Sequence, residues 1–169
     1  MLSASFRLKD VNYFKNCIDI LNKGILLKKN FINNYAKFHR QKKIAYDFIP
    51  RGSYYPAGGG YYQLHNDSFS DEKILDVIPV SILNEDYNQG GLFIKIKNKE
   101  YNIEKYASFG SIILLDASVN HGIKPVDKKK KLIKKSFEGR FSLISVSYIK
   151  KITHDKNSKR FVTFKKIKS

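Results

Sequence analysis

The sequence predicts a mainly β protein with N-terminal helices, in which the strands form an antiparallel jelly-roll. From Ile44 onward, short runs of β-branched and aromatic residues alternate with turn residues. No helical crossover separates successive runs, and this disfavours a parallel α/β sheet. In segment 93–103, apolar and polar residues alternate on both sides of a polar tip, which is the pattern of a half-exposed hairpin. A closed or double-sheet antiparallel barrel fits these observations best.

The first fifty residues show helical periodicity instead. Asp10 is placed to cap a first helix, and Gly24 is placed to end it. The apolar residues of this helix recur at three- and four-residue steps, and they are Val11, Phe14, Ile18 and Leu21. A second helix is expected after Asn30, with a buried stripe of Phe31, Ile32, Tyr35 and Phe38. We therefore expect one domain over 1–169, with a helical lead over 1–50 and a jelly-roll core over 51–169.

The jelly-roll core contains one strand candidate for each apolar run. The candidates are 61–64, 73–83, 91–97, 101–106, 111–115, 122–126, 140–149 and 160–166. The tract 128–135 contains six lysines and is too charged for a core, so we expect it to be a solvated loop.

Composition indicates a soluble globular protein of a reducing compartment. Hydrophobic residues make up 42% of the chain and aromatic residues 14%, and no apolar run has the length of a membrane helix. The N-terminus lacks the continuous apolar segment of a secretory signal. Because Cys17 is the only cysteine, no internal disulfide can form. A cytoplasmic location is expected, without a membrane partner.

The net charge of +17 raises the question of nucleic-acid binding. Of the 32 basic residues only five are arginine and 27 are lysine. Nucleic-acid readers depend on the forked guanidinium of arginine, whereas scattered lysines are typical of a solvated surface. Nucleic acid is therefore not the expected partner.

The most informative motif is His65-Asn66-Asp67, which His121 follows later in the chain. Two imidazoles and one carboxylate can occupy three neighbouring positions on a redox-active metal and leave the others open. The alternative for any single barrel histidine is a hydrogen-bonded core residue. His39 and His154 have no comparable setting and are expected on the surface.

Five blocks of sequence accompany this motif in a fixed order. They are 54–64 directly before His65, 84–93, 109–116, 121–126 and 139–143. In this order they resemble the iron(II)- and 2-oxoglutarate-dependent dioxygenases, and most closely the prolyl-hydroxylase-like branch. The resemblance extends over about residues 54–148. It implies a double-stranded β-helix in which the strands carrying His65 and His121 lie side by side.

The resemblance also implies a reaction. His65, Asp67 and His121 would bind Fe²⁺, with 2-oxoglutarate in two of the open positions and O2 in the third. Oxidative decarboxylation of 2-oxoglutarate to succinate and CO2 would accompany hydroxylation of an unassigned substrate. That substrate is either a protein side chain or a small metabolite. Asp67 favours hydroxylation, since halogenating relatives replace this carboxylate with a small residue.

The same resemblance implies a cosubstrate pocket formed by Arg140, Ser142 and Tyr62. The planar fork of Arg140 matches the far carboxylate of 2-oxoglutarate. Ser142 projects to the same face of an extended strand and can add a hydrogen bond. Tyr62 matches a family tyrosine near this group. Alternatively, Tyr62 is a packed aromatic and Ser142 an ordinary strand serine.

Arg140 follows His121 at a longer spacing than relatives show, and the lysine tract fills the difference. We interpret this tract as an insertion between the last two core strands. Lys134 and Lys135 also follow His121, but they lack the strand context of Arg140.

Two further points concern the substrate. Nucleic-acid demethylases of this superfamily carry two arginines in the last strand, whereas 140–148 contains one, so repair of alkylated bases is disfavoured. If the tract 128–135 rims the mouth of the barrel, it favours an acidic substrate. The competing class is a non-catalytic jelly-roll protein that binds an acidic ligand or nucleic acid through its basic surface.

Overall fold

The structure, a computed structural model, describes residues 2–5, 15–38, 46–67, 74–133 and 137–149. Within these ranges the chain forms one α-helix, nine strands and a short 3-10 helix. In chain order they are β1 (Leu2–Ser5), α1 (Lys15–Phe38), β2 (Tyr46–Pro56), β3 (Gly60–His65), β4 (Ile74–Pro79), β5 (Gly91–Ile96), β6 (Lys99–Asn102), the 3-10 helix (Glu104–Tyr106), β7 (Ile113–Asp116), β8 (Asn120–Val126) and β9 (Gly139–Ile149).

The strands form two antiparallel sheets. One has the order β1-β2-β9-β4-β7 and the other the order β3-β8-β5-β6. From β2 to β9 the chain passes back and forth between the sheets, so strands distant in sequence become neighbours. This topology is that of a double-stranded β-helix, and the predicted mainly β jelly-roll is confirmed.

The register of strand pairing determines where the candidate site residues lie along the barrel. β2 and β9 pair over their whole length, from Tyr46 opposite Ile149 to Pro56 opposite Gly139. In the other sheet, β3 and β8 pair from Gly60 opposite Val126 to His65 opposite His121. The predicted side-by-side placement of the two histidine strands is therefore confirmed.

Within the described residues 15–38, one continuous helix replaces the two predicted. Gly24 does not end the helix, because α1 continues to Phe38. The buried residues Leu21, Gly24, Lys28 and Ile32 form one continuous stripe at helical spacing. A Cβ added to Gly24 would lie 2.9 Å from the Cδ1 of Ile78 on β4. Glycine here permits close packing of helix on sheet, a role that the local sequence does not distinguish from helix termination.

Other predictions for the N-terminal half differ from the structure or fall outside it. The predicted buried stripe includes Phe31, but this residue is 46% exposed in the structure. The region 1–50, predicted as a helical lead, also contains strand residues. β1 pairs with β2, and β2 begins at Tyr46. The Asp10 cap and the candidate strand 160–166 lie outside the described residues.

The candidate strand 101–106 is shorter than predicted. β6 ends at Asn102, and the 3-10 helix Glu104–Tyr106 follows. Asn102 Oδ1 accepts a 2.9 Å hydrogen bond from the backbone N–H of Glu104. This turn directs the Glu104 side chain inward, where it is 3% exposed.

A buried ionic network attaches α1 to the first sheet. Lys28 Nζ donates to Asp76 Oδ1 at 2.9 Å and to the carbonyl oxygen of Ser145 at 2.5 Å. Asp76 Oδ2 also accepts from the Ser145 hydroxyl at 2.8 Å. Since a buried charge requires a partner, this network fixes the position of the helix on the sheet.

The lysine tract lies in the β8–β9 loop, as predicted. Its described residues, 128–133, are exposed, and residues 134–136 lie outside the description. The loop leaves β8 after Val126, whereas His121 lies at the opposite end of that strand. Leu132 of the tract nevertheless lines a second cavity together with Tyr62 and His65, so the role of the tract at the mouth of the barrel stays a prediction.

Candidate metal centre

His65, Asp67 and His121 come together at one end of the β3–β8 pair. His65 is the last residue of β3, and His121 is the second residue of β8. The backbone N–H of Asp67 donates to the carbonyl oxygen of Ala117 at 2.8 Å, and this fixes the chain just beyond β3. One potential ligand atom from each of the three side chains lies within 4.8 Å of the other two.

Both histidine rings direct Nε2 toward Asp67. The distance from His65 Nε2 to Asp67 Oδ1 is 3.9 Å, and that from His121 Nε2 to Asp67 Oδ2 is 3.6 Å. The ring centroids of the two histidines are 4.3 Å apart. Asp67 remains 32% exposed at its side chain, so solvent and small molecules can reach this set of ligands.

The other ring nitrogen of each histidine, Nδ1, contacts a backbone carbonyl oxygen two residues earlier in the chain. Nδ1 of His65 lies 2.9 Å from the carbonyl oxygen of Gln63, and Nδ1 of His121 lies 2.9 Å from that of Val119. A carbonyl oxygen only accepts, so each Nδ1 carries a hydrogen, and in the neutral ring Nε2 then presents the lone pair. Such contacts fix both the tautomer and the ring orientation of metal-binding histidines.

Burial lowers the pKa of His121, because the protonated ring would lose its hydration. The Val119 carbonyl opposes this effect, His65 adds to it, and Asp67 opposes it more weakly. His121 is therefore neutral at neutral pH, which is the form that binds a metal.

The triad opens into a cavity of about 270 Å³ between the two sheets. Inward-facing residues of β2 and β9 line it, among them Tyr55, Arg140 and Ser142. Tyr62 of β3 also lines the cavity, and its ring packs edge-on against His65 with centroids 4.6 Å apart. All six residues assigned to the site from the sequence therefore border one cavity.

Arg140 is fully buried, with 1% of its surface exposed. Its Nε donates to Glu104 Oε1 at 2.6 Å, and its Nη1 donates to the Ser142 hydroxyl at 3.0 Å. Its Nη2 is buried and has no hydrogen-bond partner within the described part of the chain. Because an unpaired buried donor is costly, this nitrogen indicates a place for an anionic acceptor in the cavity. A terminal carboxylate of a dicarboxylic acid fits this requirement.

Sequence reasoning missed two residues that line this cavity, Arg51 and Tyr55, and a third, Glu104, that contacts Arg140 from behind. Tyr55 places its ring 5.7 Å from the Arg140 guanidinium carbon, and Arg51 projects from the same face of β2. Glu104 pairs with Arg140 although 36 residues separate them. One general signal was available, since an arginine inside a barrel requires a nearby carboxylate. That signal does not identify which carboxylate.

The arrangement is chemically specific. Two neutral imidazoles and one carboxylate are a ligand set suited to ferrous iron, and three ligands leave coordination positions open. The buried guanidinium lies in the same cavity and can bind a second carboxylate.

Along the described chain, no helix is both long and apolar enough to cross a membrane.

No family model matches the sequence, and neither does any curated protein sequence. Among solved structures, the chain is similar to a crystal structure of a prolyl-4-hydroxylase from Pseudomonas putida, with a TM-score of 0.45 and 20% sequence identity. The similar region covers 60% of this chain and 51% of that one, so it spans about half of the solved structure.

Proposed function

We propose that this protein is an iron(II)- and 2-oxoglutarate-dependent dioxygenase that hydroxylates a protein side chain or a small metabolite. The supporting observation is a single cavity that holds three convergent metal ligands together with a buried guanidinium whose Nη2 lacks a partner. The His-Asp-His set alone would suit several metal-binding functions. Its combination with a carboxylate-binding arginine favours a mechanism that uses a dicarboxylate cosubstrate.

His65 and His121 would hold the metal through Nε2, and Asp67 would hold it through a carboxylate oxygen. Ferrous iron bound there would couple decarboxylation of 2-oxoglutarate to succinate and CO2 with hydroxylation of a substrate carbon by O2. The chain keeps both imidazoles oriented, since the carbonyl oxygens of Gln63 and Val119 each lie 2.9 Å from an Nδ1. Neither imidazole then has to rotate before its Nε2 can act as a ligand.

Arg140 would bind the far carboxylate of 2-oxoglutarate through its unpartnered Nη2. The Ser142 hydroxyl accepts from Nη1, so its own hydrogen is available for the same carboxylate. Tyr62 lies against His65, beside the metal ligands, and we assign it to the wall of the cosubstrate pocket. Burial of Arg140 strengthens its hydrogen bond to the carboxylate, because little water competes for it, while Glu104 offsets part of the charge of Arg140.

The test begins with anaerobic protein loaded with ferrous iron. Addition of 2-oxoglutarate should produce a weak visible charge-transfer band, and admission of O2 should then release succinate slowly without added substrate. Asp67→Asn should lose both signals, because the metal loses its anionic ligand. The matched variant Asp86→Asn changes an exposed aspartate in the turn after β4 and should retain both.

If iron-loaded wild-type protein gave neither the band nor succinate, the enzyme proposal would fail and a binding protein would be favoured. Once succinate formation is established, stimulation by pools of metabolites or peptides would separate the two substrate classes.

A further inference from the structure

Glu104 forms a deeply buried contact with Arg140 of the candidate cosubstrate pocket. Its Oε1 accepts two hydrogen bonds, from the backbone N–H of Leu92 at 2.8 Å and from Arg140 Nε at 2.6 Å. The side chains of Glu104 and Arg140 are each 1% exposed. Arg140 lines the cavity, whereas Glu104 is not among the lining residues and lies behind Arg140.

We propose that Glu104 is a positioning residue, which fixes the Arg140 guanidinium and thereby sets the length of the dicarboxylic acid that the cavity accepts. The proposal rests on the proposed function, because it concerns the binding of 2-oxoglutarate. It assigns Glu104 no contact with the cosubstrate.

The first step of the argument is the geometry of the guanidinium group. This group is planar, and its five N–H donors point in fixed directions. Glu104 holds Nε, and Ser142 holds Nη1 from another side. Two contacts on different nitrogens determine both the position and the in-plane rotation of the group. The direction of the remaining nitrogen, Nη2, is then determined as well.

The second step is the immobility of the carboxylate that holds Nε. Glu104 is fixed by the Leu92 N–H and is packed against Gly91. A Cβ added at Gly91 would lie 2.4 Å from the Glu104 Cγ and 3.0 Å from the Tyr87 hydroxyl. Gly91 leaves just enough space for this side chain, so the carboxylate has little freedom to move.

The third step concerns the consequence for the ligand. A fixed guanidinium lies at a fixed distance from the metal ligands, so only one length of 2-oxo diacid can reach both. A guanidinium without Glu104 can move toward or away from the metal and accommodate a longer acid. Glu104 also neutralises Arg140, so its removal changes the overall attraction for any dianion. Comparison of two acids of equal charge cancels this Coulombic effect and isolates the positioning effect.

The experiment measures the Kd of 2-oxoglutarate and of 2-oxoadipate, which is one methylene longer, by calorimetry on the anaerobic iron(II) protein. The Kd of wild type for 2-oxoglutarate should be lower than that for 2-oxoadipate by about tenfold or more, because one extra methylene changes affinity by that much in a shaped site. In Glu104→Gln this preference should fall to about threefold or less. A purely structural role for Glu104 would weaken binding of both acids and leave their ratio unchanged.

Glu100→Gln is the matched control, because it makes the same substitution four residues earlier. Glu100 is 42% exposed and pairs with Lys124 on the sheet surface, so this variant should keep the wild-type ratio. If Glu104→Gln does not fold, Glu104→Asp keeps the charge but withdraws the carboxylate by one methylene. The preference should fall in this variant for the same reason.

An unchanged ratio in folded Glu104→Gln or Glu104→Asp would overturn the inference while the proposed function stands. If iron-loaded wild type bound neither acid, the proposed function and this inference would both be wrong.

Discussion

His65 and His121 lie directly opposite each other in the β3–β8 pair, and each ring uses Nδ1 to contact the carbonyl oxygen two residues before it. The two contacts have the same length, 2.9 Å, and the same spacing along the chain. Equivalent local contacts on neighbouring strands hold the two rings with their planes 53° apart, and Nε2 of each faces Asp67. The site is thus preorganised by backbone pairing.

His121→Ala should abolish binding of ferrous iron and leave the fold intact. The variant removes one of three ligands from the end of a strand, where side chains contribute to function more than to stability. Iron content after anaerobic loading and desalting should fall to the background, while the melting temperature should change by only a few degrees. Full iron loading of this variant would contradict the assignment of His121 as a ligand.

Arg140→Met should destabilise the protein by about 3–5 kcal/mol, because it leaves the Glu104 carboxylate buried without its partner. The double variant Arg140→Met/Glu104→Gln should recover part of this loss, since the remaining group is uncharged. Urea denaturation of the wild type, both single variants and the double variant gives the coupling energy. Additive free energies of unfolding would show that the two residues do not interact. The double variant should still bind iron but not 2-oxoglutarate.

Gly91→Ala should cost more stability than Gly59→Ala. Both glycines have positive φ, 92° and 109°, so both variants carry backbone strain of about 1–2 kcal/mol. Only at Gly91 does the added Cβ meet a neighbour, the Glu104 Cγ at 2.4 Å, whereas nothing lies within 4 Å at Gly59. The difference in the free energy of unfolding therefore measures the steric restriction around Glu104. Equal losses in the two variants would show that Glu104 has room to move.

The carboxylate of Asp127 should give the fold a pH-dependent stability. The pKa of the Asp127 carboxyl is lowered. Burial alone would raise this pKa, but the backbone N–H groups of Asn88 and Gln89 each donate to the carboxylate at 2.8 Å, and the Lys130 ammonium group lies beside it. Together these contacts outweigh the effect of burial. A carboxyl whose pKa is lower in the folded state stabilises the fold above its unfolded pKa, about 3.9. This contribution is lost as the pH falls through the folded pKa.

Asp127→Asn should therefore be less stable than wild type at pH 7, by about 1–2 kcal/mol. Asparagine tolerates the positive φ of 42° at this position, so the difference in stability between the two proteins does not include backbone strain. Urea denaturation at several pH values should show the two proteins converging below about pH 4. A constant difference between pH 7 and pH 3 would exclude the ionised carboxylate as its cause.

The candidate metal ligands could be predicted from the sequence because their chemistry and local setting are encoded in short segments. His65 and Asp67 lie two residues apart in one motif, and His121 precedes an apolar run that predicts a strand. Arg140 and Ser142 were placed on one face because alternation along a strand is a local rule. β2 was missed, since Pro50, Gly52 and Pro56 interrupt its apolar pattern, although full-length pairing with β9 compensates for them.

The sequence by itself determined the mainly β class, the hairpin of β5 and β6 and the chemical types of the candidate ligands, because each depends on neighbours along the chain. Only the tertiary structure decided that α1 runs through Gly24, which packs against Ile78, and that Glu104 holds Arg140. Both outcomes depend on contacts between segments far apart in sequence. A glycine or a glutamate carries no local sign of the partner that the fold will bring to it.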